Sequence, residues 1–100
     1  MLIDFDEPIR DVRNEPVKES MTIGTCAVSA LQHLYQDEAV TPEVKVRRFK
    51  LALRIAGATE PLALGNDDVA MIKTVVGKYW NSMCVYRVFE AVDPEGLKAI

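Results

Sequence analysis

Thr41-Pro42-Glu43-Val44-Lys45-Val46-Arg47-Arg48-Phe49-Lys50-Leu51-Ala52-Leu53-Arg54-Ile55-Ala56-Gly57 holds the clearest structural signals of this 100-residue chain. A threonine hydroxyl can accept from free first-turn amides, and a proline sits at the first helical position, where its missing N–H is harmless. Gly57 offers a left-handed stop. The segment predicts a helix over 42–56. At about 100° per residue, Val44, Leu51 and Ile55 fall on one side and Phe49, Ala52, Leu53 and Ala56 on the adjoining side. The apolar arc covers well over half the circumference, which predicts a central helix with neighbours on two faces. Arg47, Lys50 and Arg54 form the remaining polar stripe. Arg48 and Lys45 lie inside the apolar arc and must snorkel or pair, with arm carboxylates such as Asp4, Asp6 or Glu7 as the expected partners.

The flanking segments predict further helices. Thr22 is the expected cap of one over 23–36, because Ile23, Cys26, Ala27, Ala30, Leu31 and Leu34 share one arc. Asn66 is the expected cap of a third, with Asp67 and Asp68 in its positive first turn and Val69, Ile72, Val75, Val76 and Tyr79 on its buried face. Asn81-Ser82 precedes a fourth, whose apolar face is Val85, Val88, Phe89 and Val92 and which Asp93-Pro94 ends. The first twenty residues contain two similar phrases, Glu7-Pro8-Ile9-Arg10 and Glu15-Pro16-Val17-Lys18. Each proline holds the residue before it extended, which predicts edge strands or an irregular arm around a turn at Arg13-Asn14. Thr59 to Leu64, interrupted by Pro61, is the extended segment expected to pair with that arm around Leu62.

The expected fold is therefore mainly α, a single small domain of about four helices with an N-terminal extended arm or short β-hairpin. Residues 1–20 are the arm, 22–93 the helical core and 94–100 a tail too short to form an element. Tyr35 and Phe49 are expected in one core with Val69, Ile72, Val76, Val85 and Phe89.

Composition bounds function. Hydrophobic residues make up 49% and charged residues 27%, the balance of a globular domain. Fifteen acidic against twelve basic side chains give a net charge of −3, which argues against a dedicated nucleic-acid binder. No apolar run approaches the roughly 20 residues that span a bilayer, and the N-terminus is acidic rather than basic-then-apolar, so neither a membrane partner nor a secretion signal is expected. Cys26 and Cys84, each in an apolar stretch, suit buried free thiols in a reducing cytoplasm.

Chemistry is thinly signalled. Ser29, His33 and Asp37 recur at four-residue spacing, but one helix flank offers no pocket, oxyanion site or strained nucleophile turn, and Asp37 lies beyond the helix end. A lone histidine does not make a metal site. The loop Ala58 to Leu64 has one carboxylate where calcium needs several oxygens, and the glycines form no phosphate-cradling cluster. No catalytic residue, metal or cofactor is expected.

What remains is surface. Residues 1–20 carry a net charge of −3 and residues 42–56 a net charge of +4, allowing either internal pairing or a two-signed contact surface. Arg47, Lys50 and Arg54 can contact phosphates weakly, although such a run is more often a solvated face. Tyr79, Trp80, Met83 and Tyr86 cluster where the third helix gives way to the fourth, as interface or as core. The arm DFDEPIRDVRNEPVKES (4–20), the helix opening MTIGTCAVSAL (21–31), and the phrases KVRRFKLALRI (45–55) and DDVAMIKTVVGKYW (67–80) resemble small accessory proteins of tailed-phage and prophage genomes. That resemblance implies an assembly helper or a binder of a bacterial host factor, acting in the infected cell's cytoplasm. The expected function is a non-enzymatic protein-interaction module with a protein partner, compatible with a homo-oligomer. Weak nucleic-acid binding through the basic helix face is the alternative.

Overall fold

Thr22 and Thr41 start the first two helices as their chemistry predicts. In the computed structural model, which describes residues 1–100, the chain runs β1 (Leu2–Ile3), α1 (Ile23–Gln32), α2 (Pro42–Ala56), β2 (Leu62–Ala63), α3 (Asn66–Tyr79), α4 (Ser82–Val92) and α5 (Pro94–Lys98). The Thr22 hydroxyl accepts from the Thr25 amide at 3.1 Å, and the Thr25 hydroxyl accepts from the Thr22 amide at 2.8 Å, a reciprocal cap. Thr41 accepts from the Val44 amide at 3.3 Å.

The arm docks onto the start of α1. The Ile23 amide donates to the Glu7 carbonyl at 2.9 Å and the Gly24 amide to the Phe5 carbonyl at 2.8 Å. β1 pairs antiparallel with β2, Leu2 opposite Ala63 and Ile3 opposite Leu62, so the arm does meet the segment around Leu62. Isolated bridges link Pro8 with Thr22 and Arg10 with Pro16. The expected turn is present: Asn14 adopts φ 63°, which asparagine tolerates, and the Asp11 carboxylate accepts from the Arg13 and Glu15 amides at 2.9 and 3.1 Å.

The core joins Ile3, Phe5 and Ile9 from the arm to Ile23, Cys26, Ala27, Ala30 and Leu31 of α1, Leu51, Ala52 and Ile55 of α2, Ile72, Val75 and Val76 of α3, and Cys84, Val88 and Val92 of α4. Several expectations change. α1, not α2, is central: it packs against α2, α3 and α4, while α2 packs chiefly on α1. α1 ends at Gln32 rather than at residue 36, because His33 is extended and Tyr35 folds back to donate its hydroxyl to the Ala30 carbonyl at 2.7 Å and the Val75 carbonyl at 3.1 Å. A carbonyl orphaned at the helix end is thereby satisfied. Leu34, expected on the core arc, consequently faces solvent.

Phe49 is also displaced from the expected core, with 48% of its surface exposed. Val69, Val85 and Phe89 are only partly buried: α3 turns Ile72, Val75 and Val76 inward and α4 turns the 84, 88, 92 line inward. Gly57 ends α2 in a right-handed conformation at φ −88°, not a left-handed one. Gly65, not Asn66, precedes the first helical residue of α3, without a side-chain cap. The tail forms the fifth helix, capped by Asp93 accepting from the Gly96 amide at 3.0 Å.

Ile72 is fully buried, so Ile72→Ala should cost about 2–5 kcal/mol and lower the thermal midpoint by roughly ten degrees or more. Gly24→Ala should also lower it despite alanine's better helix propensity, because a Cβ there would meet the Phe5 carbonyl oxygen at 2.9 Å. Phe49→Ala should stay within about 0.5 kcal/mol of the parent. Scanning calorimetry checks all three, and an unchanged midpoint for either of the first two would contradict this packing.

Candidate functional site

The wide apolar arc of α2 divides into two faces with different fates. Leu51, Ala52 and Ile55 turn inward, together with Arg48. Val46, Phe49 and Leu53, spaced i, i+3 and i+7, turn outward with 55%, 48% and 58% of their surfaces exposed. That spacing is the sequence signal for a second apolar stripe. On the helical wheel Lys45 lies at one edge of the stripe and Lys50 and Arg47 beyond the other. None of these three cations has a carboxylate within 4.0 Å, whereas Arg54 pairs with Asp68 at 3.1 Å. The expected polar stripe is thus present, with Arg47 and Lys50 open and Arg54 engaged with α3.

Phe49 also lines a pocket of about 340 Å³ between the end of α1 and the first half of α2, with Leu31, Leu34, Val40, Lys45 and Arg48 among its walls. Behind it lies an ion cluster. Arg48, 8% exposed, donates a short hydrogen bond to Glu38, and Lys78 of α3 donates to the other Glu38 oxygen at 2.9 Å. Glu38, rather than Asp4, Asp6 or Glu7, is therefore the partner of Arg48; the arm lies on the α1–α4 side of the molecule, where Arg87 grips the Arg10 and Asp11 carbonyls at 3.0 and 2.9 Å. Sequence reading has no signal for this partner, because Glu38 stands in an irregular loop. The hydrogen bonds from Arg48 and Lys78 hold the Glu38 carboxyl down at about 2. Tyr35 packs below both cations, 5.9 Å from Arg48 and 5.6 Å from Lys78, and burial pushes its phenol up to about 12.

The aromatic candidates separate by role. His33 stacks edge-on with Tyr35 and Tyr79, both at 4.9 Å between centroids, and Tyr79 with Trp80 at 5.1 Å. Trp80 is a structural tie, its indole N–H donating to the Cys26 carbonyl at 2.9 Å, and Met83 packs against the core. Tyr79 and Tyr86 stay exposed. None of the seven candidates lines this pocket; Tyr79 touches His33, which does. Met83 and Tyr86 line a separate depression with Val12 and Arg87. No three His, Cys, Asp or Glu side chains gather where they could hold a metal ion, and no helix is long and apolar enough to cross a membrane. Ser29 is exposed and Asp37 pairs with Lys78 at 3.5 Å; neither hydrogen-bonds to His33.

Comparison with known proteins finds no matching family model, no matching curated protein and no matching solved structure.

Cys26 and Cys84 are free and buried. Burial, with the neighbouring Cys84 thiol, pushes Cys26 up to about 12, and burial also raises Cys84. The nucleophilic thiolate is scarce in both. Native protein should react slowly with a thiol reagent and unfolded protein quickly; rapid labelling before unfolding would contradict the burial of these thiols.

Glu38 makes an acid-side prediction. Its folded value lies below the ordinary 4.5, so its contribution to stability is complete above that value and is lost as pH falls from about 4.5 to about 2. Glu38→Gln should be less stable at neutral pH and lose less on acidification, measured by thermal midpoints across that window. Asp93, lowered by its hydrogen bond from Lys73, should leave a residual slope. Equal acid slopes in parent and variant would rule out the Glu38 cluster as a source of acid sensitivity.

Proposed function

We propose that this protein is a non-enzymatic protein-interaction module whose contact surface is the outer face of α2. One observation carries the reading: α2 already buries one apolar face in the core and presents a second, Val46, Phe49 and Leu53, to solvent beside a pocket. Local folding does not require that second stripe, and exposed contiguous apolar surface marks interaction sites. The polar groups nearest it argue against chemistry. Arg48, Lys78 and Glu38 bind one another, and the other polar groups on the pocket wall are engaged structurally, His33 stacked on Tyr35 and Tyr79 and the Tyr35 hydroxyl held by the Ala30 and Val75 carbonyls.

Resemblance to phage and prophage accessory proteins supplies the context: an assembly helper or a binder of a host factor in the cytoplasm of an infected bacterium. Nucleic-acid binding is the second reading, favoured by the open cations Arg47 and Lys50. It is weakened by the apolar stripe between Lys50 and Lys45, by the engagement of Arg54 with Asp68, and by the net charge of −3.

The test is affinity capture from infected bacterial cells with the parent and with Phe49→Asp and Leu53→Asp, two exposed positions whose variants should remain folded by circular dichroism. The expected result is a nuclease-resistant protein partner recovered by the parent and reduced about tenfold or more by either substitution. Capture of nuclease-sensitive material alone, abolished by charge reversal of Arg47, Lys50 and Arg54, would replace this reading with the second one.

A further inference from the structure

We infer that the occupant of the α2 face is an acidic amphipathic helix of another protein, docked along Val46, Phe49 and Leu53 with one large apolar side chain inserted in the adjoining pocket. The inference rests on the interaction-module reading and adds the chemistry of the partner. Shape is the first argument. α2 is an unbroken run of fifteen residues, about 22 Å long, and an i, i+3, i+7 stripe is the pattern that a second helix covers in helix-against-groove recognition. A pocket of about 340 Å³ bounded by Leu31, Leu34, Val40 and Phe49 accepts a leucine-sized or phenylalanine-sized anchor at one end of the stripe.

Charge is the second argument and selects among occupants. Lys45 edges the stripe on one side and Lys50 and Arg47 on the other, all without carboxylate partners in the folded chain. A partner with carboxylates flanking its apolar face supplies them; one with lysines there is repelled. A second copy of this chain docked α2 against α2 opposes the unpaired Lys45, Arg47 and Lys50 of both copies, so this face does not favour α2-against-α2 self-association. An anionic membrane surface shares the charge preference. However, it supplies no defined anchor for the pocket, and the whole chain, at −3, is repelled by it.

The test uses the full-length protein and a fluorescent designed peptide of about 16 residues, with leucines on one helical face and glutamates along both flanks. Two controls accompany it: the same peptide with lysine for every glutamate, and a scramble of identical composition. The acidic peptide should bind in fluorescence anisotropy and weaken as salt rises. Affinity should fall about tenfold or more in Phe49→Asp, in Leu53→Asp and in Lys45→Glu combined with Lys50→Glu. Amide shifts in NMR should concentrate on α2. Equal binding of the lysine peptide or of the scramble overturns the inference. So does a doubling of mass in light scattering that Phe49→Asp abolishes, which assigns the face to a second copy. Phe49-dependent binding to phosphatidylglycerol vesicles without peptide binding overturns it in favour of lipid. If the peptide fails to bind while Phe49-dependent capture of a protein persists, the acidic helix is wrong and the interaction face stands; if capture fails as well, both are wrong.

Discussion

The structure depends on how the first turn of α1 satisfies its amides. A helix start leaves four N–H groups without intrahelical partners, and here all four are taken: Thr22 by the Thr25 hydroxyl, Ile23 by the Glu7 carbonyl, Gly24 by the Phe5 carbonyl and Thr25 by the Thr22 hydroxyl. Two of these acceptors belong to the arm, whose backbone must approach the helix closely. A Cβ on residue 24 would stand 2.9 Å from the Phe5 carbonyl oxygen, so glycine here serves close approach rather than a special backbone angle. The contact carries Phe5 and Ile9 into the core and sets Ile3 opposite Leu62. A helix of ten residues is marginal on its own. Capped by the arm and surrounded by α2, α3 and α4, it becomes the element on which the others pack.

That arrangement explains why α2 keeps an open face. α1 takes the Leu51, Ala52 and Ile55 side, while the irregular link from His33 to Val40 closes over Arg48 through Glu38 and Tyr35. None of the helices or strands of the fold covers Val46, Phe49 and Leu53. Full burial of a side chain of this size is worth about 1.5–3 kcal/mol, a contribution that the fold alone does not collect at these three positions and that a docked partner would. Retaining the stripe beside open cations is the behaviour expected of a surface kept for contact.

Local signals were legible in the sequence and tertiary ones were not. Thr22, Thr41-Pro42 and Asn81 mark helix starts because capping is a contact within one turn, and the two Glu-Pro phrases mark the arm because proline acts on its immediate neighbour. The wheel of α2 displays both apolar faces but cannot tell which of them another element covers; that turns on α1 being central, which follows from the docking of the arm. The early stop of α1 depends on Tyr35 reaching carbonyls of both α1 and α3, a contact between residues 40 apart. The inward line of α4 is 84, 88 and 92 rather than one through Val85 and Phe89; Cys84 is legible as a buried thiol, but the expected apolar face of Val85, Val88, Phe89 and Val92 is phased without it. α5 is five residues long and exists because Asp93 both closes one helix and caps the next, while pairing with Lys73 at 2.7 Å. For the candidate site, the cations were visible in sequence, but which of them stay unpaired required Asp68 and Glu38 to be placed.

The arm and α2 do not neutralise each other within the fold. The arm carboxylates of Asp4, Asp6 and Glu7 make no ion pairs, and neither do Lys45, Arg47 and Lys50; the bridges that form join Glu38, Asp37, Asp68, Asp93, Glu90 and Glu95 to other cations. The molecule is thus two-signed, acidic at the arm and basic along α2. Exposed charges of this kind contribute little to stability, but they orient an approaching partner and penalise one of the wrong sign. On the proposed reading the two features of α2 divide the work of recognition. Val46, Phe49 and Leu53 provide area that any apolar helix can use, whereas Lys45, Arg47 and Lys50 decide which helix can use it, because a basic competitor must bring like charges together along both edges of the same stripe.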